Sequence, residues 1–283
     1  MSRPWRLVVG HHHPPVVLLF VRGWSVDIAV AGSSGLESVL GVGDGPTALL
    51  TALPATPSEH VLLLTPRHLE RRAREQAHVV VASHRDLRVG VLVLDHHALT
   101  LTLIGAAVHA LRDTPSGWSE PGAAVQLVRQ AAVRSRSIVW HPKVLGLRRP
   151  VPSLAQSAAS LVRSGGYFVE LGTDNGPARG PGGFAPDGEE QLYTAEDPPA
   201  LLRNQLGDTV PRTVSVISEA GAPYRTRRTV ELCGLAGPAW APLAQDSCEI
   251  CGAGRPLSGC LFCGTGSAVS SQPVGSAVSA AGR

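Results

Sequence analysis

Residues 60–97 read HVLLLTPRHLERRAREQAHVVVASHRDLRVGVLVLDHH, and the parsing of this stretch decides the fold. His60-Val61-Leu62-Leu63-Leu64 is a short unbroken apolar run, the pattern of a strand covered on both faces. Pro66 opens a helix over Arg67 to Gln76, because a proline in the first turn forfeits no helical hydrogen bond. His78 to Ser83 is rich in β-branched side chains and predicts a second strand. Arg88 to Leu94 predicts a third, ending at Asp95-His96-His97.

On the C-terminal side, helices are predicted over Leu99 to Leu111 and Pro121 to Val133, then a strand over Ser137 to Trp140. Ser153 caps a helix reaching about Arg163, and Gly165-Gly166 ends it before a strand at Tyr167 to Leu171. On the N-terminal side, Val16 to Val21 and Ser25 to Val30 flank Arg22-Gly23-Trp24 and predict a hairpin, an antiparallel edge or lid. Ser34 to Leu53 predicts two short helical pieces around a glycine-rich loop. Strands alternating with helices predict an α/β fold over residues 1–172, a mostly parallel sheet flanked by helices.

Composition shifts after Gly172. Residues 173–197 read as a Gly/Pro/acidic loop or linker. Residues 198–244 hold a short helix and a hairpin of Arg212 to Ser218 with Tyr224 to Leu232. Residues 245–266 form a cysteine module, and residues 267–283 a disordered Ser/Ala/Gly tail.

The chain has 283 residues and a formal net charge of +3, which gives no global case for nucleic-acid binding. Its single lysine, Lys143, stands against many arginines, a bias that weakens any argument from arginine usage. The longest apolar run, near Leu99 to Leu111, is too short to span a bilayer. No secretion signal is read in the first residues, so the expectation is a cytoplasmic chain with reduced thiols and no membrane partner.

The sharpest chemical signal is Cys248-Glu249-Ile250-Cys251-Gly252 followed by Cys260-Leu261-Phe262-Cys263-Gly264. Two thiolate pairs, each closed by a tight turn, supply the four sulfurs of a tetrahedral metal site. A redox dithiol, an iron–sulfur cluster or disulfides are the alternatives; zinc suits an otherwise cysteine-poor chain. Four thiolates leave no open position for water, so the Zn2+ is expected to be structural. The module resembles the short zinc ribbon found at the ends of many otherwise unrelated proteins, with a shortened spacer. The fifth cysteine, Cys233, reads as a small buried side chain in a strand.

Asp95-His96-His97 sits where a buried strand ends, the place where ligands gather in open α/β sheets. Leu92 to His97 resembles one motif of the DHH phosphoesterases. That resemblance implies two divalent metals held in part by Asp and His, clamping a phosphodiester and activating water. The other aspartates of that pattern are missing. The competing reading is a helix N-cap at Asp95 with packed histidines.

His11-His12-His13 reads as a turn, and the glycines around Gly43 lack the ending of a phosphate loop. From Pro121 to Phe168 there is no acidic residue, while Arg134, Arg136, Arg148 and Arg149 are candidate contacts for an anionic partner. The acidic stretch from Glu170 to Asp197 offers the alternative of internal pairing.

Together these readings predict a non-enzymatic, zinc-binding cytoplasmic protein that works through a protein partner, with nucleic acid as a second possibility. The alternative is a metal-dependent phosphoesterase or nucleotide-binding enzyme built on Asp95, His96 and His97.

Overall fold

A computed structural model of the chain describes residues 26–31, 35–36, 39–42, 45–53, 59–112, 120–144, 147, 151–162, 165–173, 176–179, 191–214, 229–235, 246–250, 253–255 and 260–263. Strand β1 (Val26–Ala31) is followed by β2 (Gly35–Leu36), β3 (Val39–Val42), helix α1 (Ala48–Ala52) and β4 (His60–Pro66). A 3-10 turn at Arg67–Leu69 leads into α2 (Glu70–Ser83), and β5 (Arg88–Leu94) follows. These strands form a five-stranded sheet in the order β2-β3-β1-β4-β5. Its β3, β1, β4 and β5 run parallel, and only β2 is antiparallel to its neighbour.

Every residue of β4 is buried, as its unbroken apolar run requires of a strand covered on both faces. Alternation then sorts the side chains. Val61 and Leu63 join the cluster with Leu49, Ala73 and Val80 of α1 and α2, while Leu62 and Leu64 enter a larger cluster on the opposite face.

The larger cluster is built around two helices, α3 (Ala98–Leu111) and α4 (Pro121–Arg134), the latter with proline in its first turn. Next come β6 (Arg136–His141), α5 (Leu154–Val162), β7 (Tyr167–Glu170), β8 (Ala178–Arg179), β9 (Gln191–Thr194), α6 (Ala200–Leu206), β10 (Arg212–Thr213) and β11 (Val230–Leu235). They make a second sheet in the order β10-β9-β11-β6-β7-β8, antiparallel except for the β9–β10 pair. Every residue of α3 from Ala98 to Val108 is buried. A helix with no exposed stripe needs cover all round. Here α3 lies between the two sheets, sharing a cluster with Ile28, Leu62 and Leu92 of the first and with Tyr193, Cys233 and Leu235 of the second.

Gly105 is where α3 comes closest to the parallel sheet. A Cβ there would lie 3.1 Å from Ile28 Cγ2 and 3.3 Å from Val39 Cγ2. Both neighbours are β-branched and fully buried, so they have little freedom to yield. Gly105→Ala would gain up to about 1 kcal/mol of helix propensity and lose about 1–3 kcal/mol to overpacking. The expected result in urea unfolding is a net loss of about 1 kcal/mol.

The α/β class and the helix-flanked parallel sheet are as expected, and several elements are not. His78 to Ser83 is the second half of α2, not a strand. Ala73, Gln76, Ala77 and Val80 are its buried positions, a helical spacing that outweighs the local β-branched preference. The first helical piece expected after Ser34 is instead the short antiparallel pair β2–β3. Residues 16–21 of the expected hairpin lie outside the described residues, and β1 is an interior strand between β3 and β4, not an edge. The strands at 137–140 and 167–171 belong to the second sheet. That sheet joins β6 and β7, before Gly172, to β9 and β11, after it. The expected hairpin of 212–218 with 224–232 does not form between β10 and β11, because β9 separates them.

Ser153 caps α5 as expected, and reciprocally. Its Oγ accepts from the Gln156 N–H at 3.1 Å, and its own N–H donates to Gln156 Oε1 at 2.8 Å. No helix among the described residues is long and apolar enough to cross a membrane.

Candidate functional site

The parallel strands β4 and β5 end side by side, delivering Thr65, Pro66, Arg67 and His68 from one and Asp95, His96 and His97 from the other. In parallel sheets this carboxyl-end rim is the usual place for a ligand. The three residues singled out in the sequence do not act together there.

Asp95 is half-exposed and receives two hydrogen bonds from Arg67, Nε to Oδ1 at 2.7 Å and an Nη to Oδ2 at 2.9 Å. The side-chain hydrogen bond from Arg67 holds the Asp95 pKa below the ordinary carboxylate value. His96 turns inward. Its Nδ1 lies 2.8 Å from Ser137 Oγ and its Nε2 lies 2.9 Å from the Ala132 carbonyl. A carbonyl only accepts, so Nε2 carries the proton and Nδ1 accepts from the serine. Burial pushes the His96 pKa down to about 4, which keeps the ring neutral.

His97, at the N-cap position of α3, is buried, and its Nε2 donates to the Ile138 carbonyl at 3.1 Å. The helix N-cap is thus His97, without a side-chain cap, and not Asp95. With Asp95 held by an arginine and both nitrogens of His96 in use, the triplet offers no shared metal face. The phosphoesterase alternative is therefore corrected.

The partner that sequence reasoning missed is Glu231 of β11. Its carboxylate lies 3.7 Å from His97 Nδ1, and both side chains are almost fully buried. Within β11, Val230 and Leu232 face the cluster with Trp140 and Leu202, while Cys233 and Leu235 face α3. Strand alternation puts Glu231 on the α3 side, where the two sheets meet. An acid inside the apolar run Val230-Glu231-Leu232-Cys233 was the available signal. His68 lies near the same pair; desolvation lowers its pKa, Glu231 raises it, and Arg72 and His97 lower it. The rim therefore brings the His68 and His97 imidazoles and the Glu231 carboxylate together beside the apolar layer around α3.

The second site is the cysteine module. Strands β12 (Asp246–Ser247) and β13 (Gly254–Arg255) pair antiparallel, and the Cys248 N–H donates to the Ala253 carbonyl at 2.7 Å. The sulfurs of Cys248, Cys260 and Cys263 lie within 4.8 Å of one another, with Cys248 and Cys263 3.5 Å apart. Among the described residues this is the one group of three or more His, Cys, Asp or Glu side chains that could hold a metal. Cys251 lies outside the described residues. The donor set fits a thiophilic ion: three sulfurs converge, two of them buried. The module is not an appendage, since Cys248, Ala253, Cys260 and Phe262 belong to the same buried cluster as α3 and α4.

Of the four basic residues singled out in the sequence, Arg134 and Arg136 are among the described residues. Arg136 pairs with Glu170 of the neighbouring strand at 2.8 and 3.2 Å, Arg134 is exposed at the end of α4, and Arg148 and Arg149 lie outside the described residues. The internal-pairing alternative holds for Arg136.

No family model matches the sequence, and no curated protein matches it. Solved structures do resemble the fold. A DegV family protein from Eubacterium eligens, loaded with heptadecanoic acid, aligns over 75% of this chain and 100% of its own, with a TM-score of 0.54 at 10% identity. The fatty acid kinase B3 protein of Streptococcus pneumoniae, loaded with linoleic acid, aligns over 75% of this chain and 99% of its own, with a TM-score of 0.51 at 10% identity. A DegV family protein from Corynebacterium glutamicum aligns over 77% and 98%, with a TM-score of 0.50 at 12% identity. These likenesses overturn the expectation of a protein whose function is to dock a partner through its zinc module: they align with three-quarters of the chain, and two of the three structures hold fatty acids. The chain has the mixed α/β fold of these DegV-type structures.

Proposed function

We propose that this protein binds a long-chain fatty acid. The observation that carries the reading is the shared fold, since two structures with this architecture hold heptadecanoic and linoleic acid. The chain's own physics is compatible. An acyl chain needs an apolar layer, and the α3–α4 layer between the two sheets supplies one from end to end. The head group needs polar partners at the layer's rim, where His97 stands at the N-terminus of α3, whose first turn favours an anion, with His68 nearby.

The test is displacement of a fluorescent fatty acid from the delipidated full-length chain by a free long-chain acid and by its methyl ester. The expected result is saturable displacement by the free acid and weaker displacement by the ester. Absence of saturable binding of either would sink the reading.

A second site has its own observation, the converging sulfurs. We infer that Cys248, Cys251, Cys260 and Cys263 hold a structural zinc ion in a short ribbon. Support comes from the doubled CxxCG spacing and the closeness of the three described sulfurs. A single zinc ion per chain, lost in Cys260→Ser, is the expected elemental analysis.

A further inference from the structure

We propose that strands β4 and β5 form the floor of the cysteine site, so that metal occupancy and the folding of the parallel sheet are one linked equilibrium. This rests on the zinc reading above and adds what the metal does.

A zinc knuckle pair has almost no core of its own, so its apolar residues are ordinarily few and exposed. Here the two residues between Cys260 and Cys263 are driven into the body. Phe262 is 7% exposed, and its ring meets the His60 ring edge-on at 5.1 Å, at the very start of β4. A Cβ on Gly90 of β5 would lie 3.1 Å from Leu261 Cδ2 and 3.1 Å from both Phe262 Cδ1 and Cε1. Gly90 is therefore the close-approach point where the module rests on the sheet. On its other side β13 packs against α4, and Ala253 is fully buried in the same cluster.

Two sulfurs anchor Leu261 and Phe262 at either end, Cys260 and Cys263, so an ion that fixes those sulfurs also fixes the side chains on Gly90 and His60. Linkage then works in both directions. Metal that binds only the packed arrangement stabilises the sheet, and disturbing the sheet's contact weakens the metal by the same factor.

The discriminating variant is Gly90→Ala, which leaves every thiolate intact and lies far from them in sequence. The measurements, on the full-length chain, are zinc content, zinc release to a chromophoric chelator, and amide hydrogen exchange over residues 60–66 and 88–94. Chelation of the wild type is expected to raise exchange in both strands, and Gly90→Ala is expected to weaken zinc binding about tenfold, within the usual range of coupling between sites. Should Gly90→Ala fail to fold, Phe262→Leu, which removes the ring contact with His60, serves the same comparison. If zinc is bound stoichiometrically but exchange in β4 and β5 ignores chelation and the variants hold zinc as the wild type does, the linkage is wrong and the ribbon is independent. If the supplied wild type binds no zinc at all, the zinc reading itself fails, and the linkage with it.

Discussion

Acidification from about pH 7 to about pH 4 is expected to remove about 3 kcal/mol of folding stability for each of two buried histidines. Burial lowers the pKa of His96 and of His141 to about 4, against an ordinary 6.5. Because each folded value lies below the unfolded one, the unfolded chain binds protons between them that the folded chain refuses. Stability from this source is complete above about pH 6.5 and is lost as the pH falls toward 4. Near pH 5 two protons are taken up on unfolding, so the stability should change by about 2.7 kcal/mol per pH unit. Urea unfolding at stepped pH measures this slope, and His141→Phe should halve it. A flat profile would mean that charged forms of both rings are tolerated in the fold, against the inward placement of His96 between Ser137 and Ala132.

Replacing Gly166 by alanine is expected to destabilise the second sheet by about 3 kcal/mol, at the upper end of overpacking effects. A Cβ at Gly166 would overlap the Trp140 indole. The indole has no room to retreat: it is 3% exposed, and its Nε1 donates to Gln205 Oε1 at 2.7 Å. Gln205 Nε2 in turn donates to the Gly166 carbonyl at 3.1 Å, so glycine, glutamine and tryptophan lock one another across β6, α6 and the approach to β7. Gly165→Ala is the control. Nothing lies within 4 Å of a Cβ built there, and its loss should stay within about 0.5 kcal/mol. Equal effects of the two substitutions would show that helix termination, not the indole contact, is what the glycine pair provides.

These two glycines show where sequence reading succeeds and where it stops. The pair Gly165-Gly166 is legible as the end of a helix, but the difference between them depends on a tryptophan some 25 residues upstream and a glutamine in α6. The same division runs through the fold. An unbroken apolar run such as Val61 to Leu64 carries its own burial and is legible as a strand covered on both faces. His78 to Ser83 reads as strand because β-branched residues favour strand locally, while the contacts that make it helix lie in α1 and the sheet. The second sheet was illegible for a related reason, because its central pairing joins β6 to β11 across a long stretch of chain.

The candidate sites divide in the same way. Cysteine spacing is a local property, so the metal ligands could be named, but their burial against β5 could not. Asp95, His96 and His97 were found as a strand end, whereas their partners Arg67, Ser137 and Glu231 come from three other elements. Nothing in the sequence advertised an acyl layer. A fully buried α3 reads as core, and the sheet on each side of it, seen only in the fold, is what the acyl-chain proposal builds on.

The most direct measurement of the central claim is native mass spectrometry of the delipidated full-length chain after incubation with a long-chain fatty acid. The account predicts a complex of one protein and one acyl chain, with the free acid retained in preference to its methyl ester. Detection of the unliganded protein alone, at every fatty acid concentration, would contradict it.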